Sequence, residues 1–194
     1  DFNTGSVPDS SVWTYETGAG GWGNQEYQNY TSNTNNVKVE GGNLIITAKK
    51  TSSSTFTSGR IITQDKLTFK YGTIEARIKT PNLANGLWPA FWTLGNNYPP
   101  WPQCGEIDIM EMGSASAISG GVVNRQVIST AHWGSIDQNG NHPNYGLSKT
   151  LTSDINDTFV VYRMEWTPSS ITTYIDNQQI WTMGISSFQE FQKP

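Results

Sequence analysis

The sequence predicts an all-β domain, a sandwich or barrel of short antiparallel strands. Three observations predict it. Apolar and aromatic runs of strand length recur along the chain with Gly-, Asn- and Pro-rich turns between them. One segment, Thr73 to Lys79, alternates strictly between apolar and charged residues. Helical periodicity is absent except for a turn near Ser186 to Gln192. At 194 residues the chain can bury a real core without covalent staples, and its single Cys excludes an internal disulfide framework. Only 14% of residues are charged and 35% are hydrophobic, a balance unlike that of chains that stay unfolded.

The elements follow in order. Val37-Lys38-Val39, the Gly41-Gly42-Asn43 turn and Leu44 to Ala48 form a hairpin pattern. In Thr73 to Lys79, Ile74, Ala76 and Ile78 share one face while Glu75, Arg77 and Lys79 share the other. Phe159 to Trp166 is a continuous apolar and aromatic strand, ended by Pro168. Ile171 to Ile175, the Asp176-Asn177 turn and Ile180-Trp181 make a second hairpin. No low-complexity linker or internal repeat divides the chain, so residues 1–194 read as one domain.

Composition also excludes functions. A net charge of −4 with pI near 5.1 lacks the basic face that a nucleic-acid binder needs. No apolar run approaches the roughly 20 residues that span a bilayer. Two His residues argue against a tetrahedral zinc site. Low charge, eight Trp and many Thr and Asn suit a secreted, extracellular β protein that handles neutral polar ligands. Two motifs mislead. Gly18-x-Gly20-x-x-Gly23 matches a dinucleotide fingerprint, but no amphipathic helix follows it. Asp137-x-Asn139-x-Asn141 resembles the start of a calcium loop, but His142 stands where Gly is required. Cys104 reads as a small hydrophobe rather than a nucleophile, and no Gly-x-Ser-x-Gly elbow is present.

The sharpest feature is Gly105-Glu106-Ile107-Asp108-Ile109-Met110-Glu111-Met112. In a regular strand Glu106 and Asp108 share one face, and Glu111 falls on the other beside the isoleucines. Burying an unpaired carboxylate costs several kcal/mol, comparable to the stability of a whole domain. A β-bulge at Ile109-Met110 would absorb one residue and return Glu111 to the face of Glu106 and Asp108. The two glutamates would then stand roughly 5–6 Å apart, the separation used by retaining glycosidases. The charge of Glu106 would raise the pKa of Glu111, and Asp108 would hydrogen-bond a neighbour between them. A solvated acidic face would explain the carboxylates but not the aromatic residues beside them. A metal site lacks His or Asn at ligand spacing along this strand. Leu87-Trp88-Pro89-Ala90-Phe91-Trp92 and Pro100-Trp101-Pro102 supply indoles that stack on sugar rings, although some of the tryptophans must belong to the core.

Trp88-Pro-Ala-Phe-Trp92 followed by Gly105-Glu-Ile-Asp-Ile-Met-Glu111 strongly resembles glycoside hydrolase family 16, within it the bulge-containing, laminarinase-like endo-β-1,3-glucanases. Met110 supplies the extra residue that the lichenase branch lacks. The resemblance runs from Asp1-Phe2-Asn3 through Gly21 to Tyr27, Ser58 to Ile61, Gly72 to Arg77 and Ala131-His132-Trp133. It implies a β-jelly-roll of two curved antiparallel sheets with a concave substrate cleft. It implies Glu106 as nucleophile, Glu111 as general acid/base and Asp108 as the assisting carboxylate. Asn24, Arg60, Trp88, Trp92, Trp101 and His132 are implied as residues that hold glucosyl units. No catalytic cofactor is implied. A structural calcium is, with Asp1 and the carbonyl of Gly42 in the positions of its ligands.

The resemblance implies endo-hydrolysis of β-1,3-glucan, with mixed-linkage β-1,3-1,4-glucan as a further substrate. A non-catalytic β-glucan-recognition module on the same fold is the alternative, and retention of all three acids weighs against it. Relatives continue for several dozen residues beyond the position of Pro194, so a C-terminal segment is expected to complete the fold, supplied for instance by a separate polypeptide.

Overall fold

Alternating burial along the strands builds two β-sheet units, Asp1–Thr68 and Phe69–Pro194. The computed structural model describes residues 2–96 and 99–194. The first unit contains strands β1 (Thr14–Glu16), β2 (Gln28–Tyr30), β3 (Val37–Glu40), β4 (Asn43–Ile46), β5 (Lys49–Lys50), β6 (Phe56–Ser58) and β7 (Arg60–Ile62). The second contains β8 (Gly72–Lys79), β9 (Ala90–Leu94), β10 (Glu106–Glu111), a short helix α1 (Ala115–Ser119), β11 (Gln126–His132), β12 (Asn144–Thr150), β13 (Phe159–Trp166), β14 (Ser170–Ile175), β15 (Gln178–Gly184) and a 3-10 turn at Gln189–Gln192. The fold class is all-β, as the sequence predicts.

In the first unit β3 and β4 form the expected hairpin, with Val37 and Val39 buried and Lys38 and Glu40 facing outward. Glu40 pairs with Asn43, so the turn is Gly41-Gly42 and Asn43 already belongs to β4. Both glycines take left-handed backbone (φ +58° and +77°), the requirement of a two-residue hairpin turn that follows the strand twist. β1 pairs with β7 and β5 with β6, both antiparallel. β2 pairs with β6 in parallel, which the long intervening chain permits. Gly18, Gly20 and Gly23 all have positive φ in a loop that bridges Gly18 to Tyr30. No helix follows them, which removes the nucleotide reading.

The second unit is a sandwich of two four-stranded antiparallel sheets, ordered β12-β11-β10-β9 and β15-β14-β13-β8. β8 alternates as its sequence dictates, with Ile74, Ala76 and Ile78 half-buried and the charged residues between them exposed. β13 also alternates. Val160, Tyr162, Met164 and Trp166 point inward, while Arg163 and Glu165 lie on the outer face with Phe159 and Val161. These side chains meet Ile107, Ile109 and Met110 of β10 and Val127 and Ala131 of β11 in one apolar core. Trp166 and Trp181 are buried there, and Trp133 packs on Phe188 and Phe191. Three of the eight tryptophans therefore serve the core.

The predicted bulge is present. Against β11, Asp108 pairs with Thr130 and Glu111 with Ile128, so Ile109 and Met110 together oppose Ser129. Against β9, Asp108 pairs with Trp92 and Met110 with Phe91. Both bulge residues are buried, Ile109 at 0% and Met110 at 1% exposure. A bulge leaves ladder groups without strand partners, and a buried carbonyl without a partner is costly. The fully buried hydroxyl of Ser129 donates to the carbonyl of Asp108 at 2.7 Å and lies 3.1 Å from Thr173 Oγ1 of the facing sheet. Trp181 Nε1 donates to the Ser129 carbonyl at 2.9 Å. This network clamps the bulge from the core side. Ser129→Ala should lower stability by about 1–3 kcal/mol, which calorimetry reads as a melting temperature reduced by roughly 2–10 °C.

Candidate active site

The site is built on the outer face of the β9–β12 sheet. Strand pairing places Trp92 opposite Asp108, His132 opposite Glu106 and Ile128 opposite Glu111. All three carboxylates thus leave the core on one face, Glu106 and Glu111 half-buried and Asp108 only 5% exposed. Trp88 Nε1 donates to Glu111 Oε1 at 2.8 Å. Trp101 hydrogen-bonds Glu106 through its side chain. Asp108 hydrogen-bonds Glu106, and its Oδ2 lies 3.1 Å from His132 Nε2.

Trp88 and Trp101 remain 56% and 43% exposed, so indole surface stays open beside the acids. Gly113 permits the approach of the Trp88 segment. Its φ is +100°, and a Cβ there would lie 2.0 Å from the Leu87 carbonyl oxygen.

Seven of the expected residues therefore converge: Glu106, Asp108, Glu111, Trp88, Trp92, Trp101 and His132. Asn24 and Arg60 belong to the first unit. Asn24 is exposed in the turn that its amide closes onto the Gly21 carbonyl. The Arg60 guanidinium pairs with Glu16 and covers the Trp22 ring at 4.9 Å. Gly42 occupies the β3–β4 turn, and Asp1 lies outside the described residues.

Burial governs the electrostatics. It pushes Glu106 up to about 7, aided by the charges of Asp108 and Glu111 and opposed by His132 and the Trp101 hydrogen bond. It pushes Asp108 up to about 8, aided by Glu111 and opposed by the bond to Glu106. It also raises Glu111, against the Trp88 hydrogen bond and the charge of His132. The rise at Glu111 does not come, as the sequence predicts, from the charge of Glu106. Desolvation is its cause, because the bulge sets Glu111 against the sheet instead of in open solvent. The three groups titrate as a set and keep a proton among them near neutrality.

Spacing along β10 showed no His near the acids, yet strand pairing brings one. Glu106, Asp108 and His132 place donor atoms within 4.8 Å of one another. Each already has a hydrogen-bond partner within the site. A second His, missed from the sequence, joins them. His142 Nε2 lies 2.9 Å from His132 Nδ1, and its ring meets Trp101 edge-on with centroids 4.7 Å apart. Nothing in the local sequence announces this contact, which depends on how the β11–β12 connection folds.

A carboxylate cluster with open indole faces on a β-sandwich defines a class, the carbohydrate-active β-sandwich proteins. Residues 24–192 match the family Glycosyl hydrolases family 16, and the chain belongs to that family. It is 34% identical over 197 residues to glucan endo-1,3-beta-glucosidase A1 of Niallia circulans, an alignment covering 92% of this chain and 28% of that protein. It is 36% identical over 191 residues to a beta-glucanase of Rhodothermus marinus, covering 91% of this chain and 61% of that one. The chain therefore spans from about a quarter to about three fifths of the length of these relatives. A Bacteroides ovatus family 16 protein from a mixed-linkage glucan utilisation locus, solved with a G4G4G3G product, superposes with TM-score 0.90 at 38% identity. That match covers 100% of this chain and 80% of the solved one.

The raised carboxyls set a pH dependence of stability. Folded Asp108 and Glu106 hold their protons more tightly than the unfolded chain does. The resulting stabilisation is complete below about pH 4, where the unfolded groups are also protonated. It is lost as pH rises through about 7 and about 8. Asp108→Asn keeps an acceptor for His132 without the buried charge. Its melting temperature should exceed the parent's by roughly 5 °C at pH 8.5 and match it at pH 4. Equal differences at both pH values would contradict this account of burial.

Proposed function

We propose that the chain is a single catalytic domain of a secreted, retaining endo-β-1,3-glucanase that acts on laminarin-like glucan and also accepts mixed-linkage β-1,3-1,4-glucan. The bulge carries this reading, because it sets Glu106 and Glu111 on one face with open indoles beside them. The endo-1,3-beta-glucosidase of Niallia circulans and the Bacteroides ovatus protein that holds a mixed-linkage product support it. Low charge and a high aromatic content support secretion.

In the first step Glu111 donates its proton to the glycosidic oxygen as Glu106 attacks the anomeric carbon, giving a glycosyl ester on Glu106 and a free sugar end. Burial raises Glu111, which favours the protonated form that this step needs. The Trp88 N–H holds the Glu111 carboxyl in place, and the Trp101 and Asp108 bonds hold Glu106. Ester formation removes a negative charge from the cluster, which eases ionisation of Glu111. Glu111 then takes a proton from water, and the hydroxide oxygen displaces Glu106 with the same anomeric configuration restored.

We also propose a structural calcium at the β3–β4 turn. Calcium takes six to eight oxygens. The Gly42 carbonyl belongs to this turn, and Asn3 Oδ1 lies beside the same glycine, 3.2 Å from where a Cβ would sit. The ion has no part in the chemistry. Calcium at 100 times its Kd would add about 2.7 kcal/mol. Chelation should then lower the melting temperature by roughly 5–10 °C and leave kcat unchanged after calcium is restored.

Digestion of laminarin, lichenan and agarose in parallel tests the main reading. The parent chain should release short oligosaccharides from laminarin, fewer from lichenan and none from agarose. Glu106→Gln should lose roughly 10³-fold or more of the rate while keeping its circular dichroism spectrum and melting curve. Substantial residual hydrolysis by that variant would remove Glu106 as the nucleophile.

A further inference from the structure

Neither His132 nor His142 transfers a proton to the sugar in this reaction, yet the two rings are hydrogen-bonded beside the acids. The position of His142 is built by the β11–β12 connection. Trp133 and Pro143 close the base of that loop through an N–H to carbonyl bond of 3.1 Å. The Asp137 carboxylate accepts from the amides of Asn139 and Asn141 at 2.8 and 2.9 Å, which orders the tip. His142 precedes Pro143, so its backbone is restricted to extended conformations. The rings of Trp101 and His132 both meet the His142 ring, at 4.7 Å and 5.1 Å between centroids. The result is an imidazole held half-buried with Nε2 aimed at His132 Nδ1.

A neutral imidazole carries one N–H, and its neighbours decide which nitrogen bears it. His132 has a partner on each nitrogen, His142 Nε2 at 2.9 Å and Asp108 Oδ2 at 3.1 Å. If His142 donates from Nε2, His132 must accept at Nδ1 and carry its own hydrogen on Nε2. His132 then donates to Asp108, whose other partner is Glu106. One chain of donors then runs from His142 through His132 to Asp108. We propose that His142 is a positioning residue that fixes the Nε2–H tautomer of His132 and so holds its Nε2–H on Asp108, the carboxyl beside Glu106. The charged or titratable groups facing the His pair are Glu106, Asp108 and Glu111 of β10, all members of the same cluster.

This inference rests on the glucanase reading, and its test separates the two. The chain contains only two histidines, so ¹⁵N-histidine labelling yields just two imidazole spin systems. In the parent protein at pH 7.5, His132 should show a protonated Nε2 and an unprotonated Nδ1. His142→Phe keeps a ring against Trp101 and removes the donor, so His132 should become a mixture of tautomers. On laminarin kcat should fall about 5–20-fold with KM changed less than twofold. His142→Gln, whose amide can donate to the same nitrogen, should recover most of the loss and the single tautomer. An Nδ1–H tautomer in the parent, or an unchanged tautomer in His142→Phe, would overturn the inference. So would a rise in KM alone, which would make His142 a sugar contact. A parent chain inactive on every glucan would instead overturn the glucanase reading, while the tautomer measurement would still decide the role of His142.

Discussion

Three carboxyl groups within six residues of one strand cannot alternate in the ordinary way without sending one of them into the core. The whole site depends on how the strand escapes that conflict. Opposing Ile109 and Met110 to the single residue Ser129 buries two apolar side chains in succession and brings Glu111 back to the face of Glu106 and Asp108. The extra residue costs ladder pairing, and the Ser129 hydroxyl offsets that cost by bonding the Asp108 carbonyl. Trp181 and Thr173 of the facing sheet hold Ser129 in turn. The placement of the three acids on one face is therefore a property of core packing across both sheets of the second unit.

The same burial that positions the acids sets their charge. A carboxylate at the sheet surface loses part of its hydration, and neighbouring carboxylates oppose one another's ionisation. Each partner then has a definite electrostatic task. Trp101 and His132 favour the ionised form of Glu106, and Trp88 and His132 favour that of Glu111. Desolvation outweighs both sets, so all three groups are raised. A site that must hold one acid protonated and another ionised needs this competition between burial and hydrogen bonding.

Much of this was legible in the sequence because it follows from parity and period. The alternation of Thr73 to Lys79 fixes β8, the glycine pair fixes the β3–β4 turn, and the misplaced parity of Glu111 betrays the bulge before any coordinate is seen. What escaped depends on contacts between segments far apart in the chain. His142 looks like an unsuitable residue in a failed calcium loop until the β11–β12 connection folds it onto His132. The hydrogen bond from Trp88 to Glu111 needs the close approach that Gly113 allows. Burial of the acids is likewise a sum over neighbours, so a reading from charge spacing alone named the wrong cause for Glu111.

The central claim is that the bulge makes Glu106 the group that meets the anomeric carbon. A 2-deoxy-2-fluoro-β-laminaribiosyl donor with a dinitrophenolate leaving group tests this directly. The leaving group speeds formation of the covalent ester, and the fluorine slows its hydrolysis. Peptide mapping of the inactivated protein should find one fluoroglycosyl group on Glu106, in the peptide that also carries Asp108 and Glu111. A label on Glu111 or Asp108, or rapid turnover of the donor with inverted product and no adduct, would contradict the account.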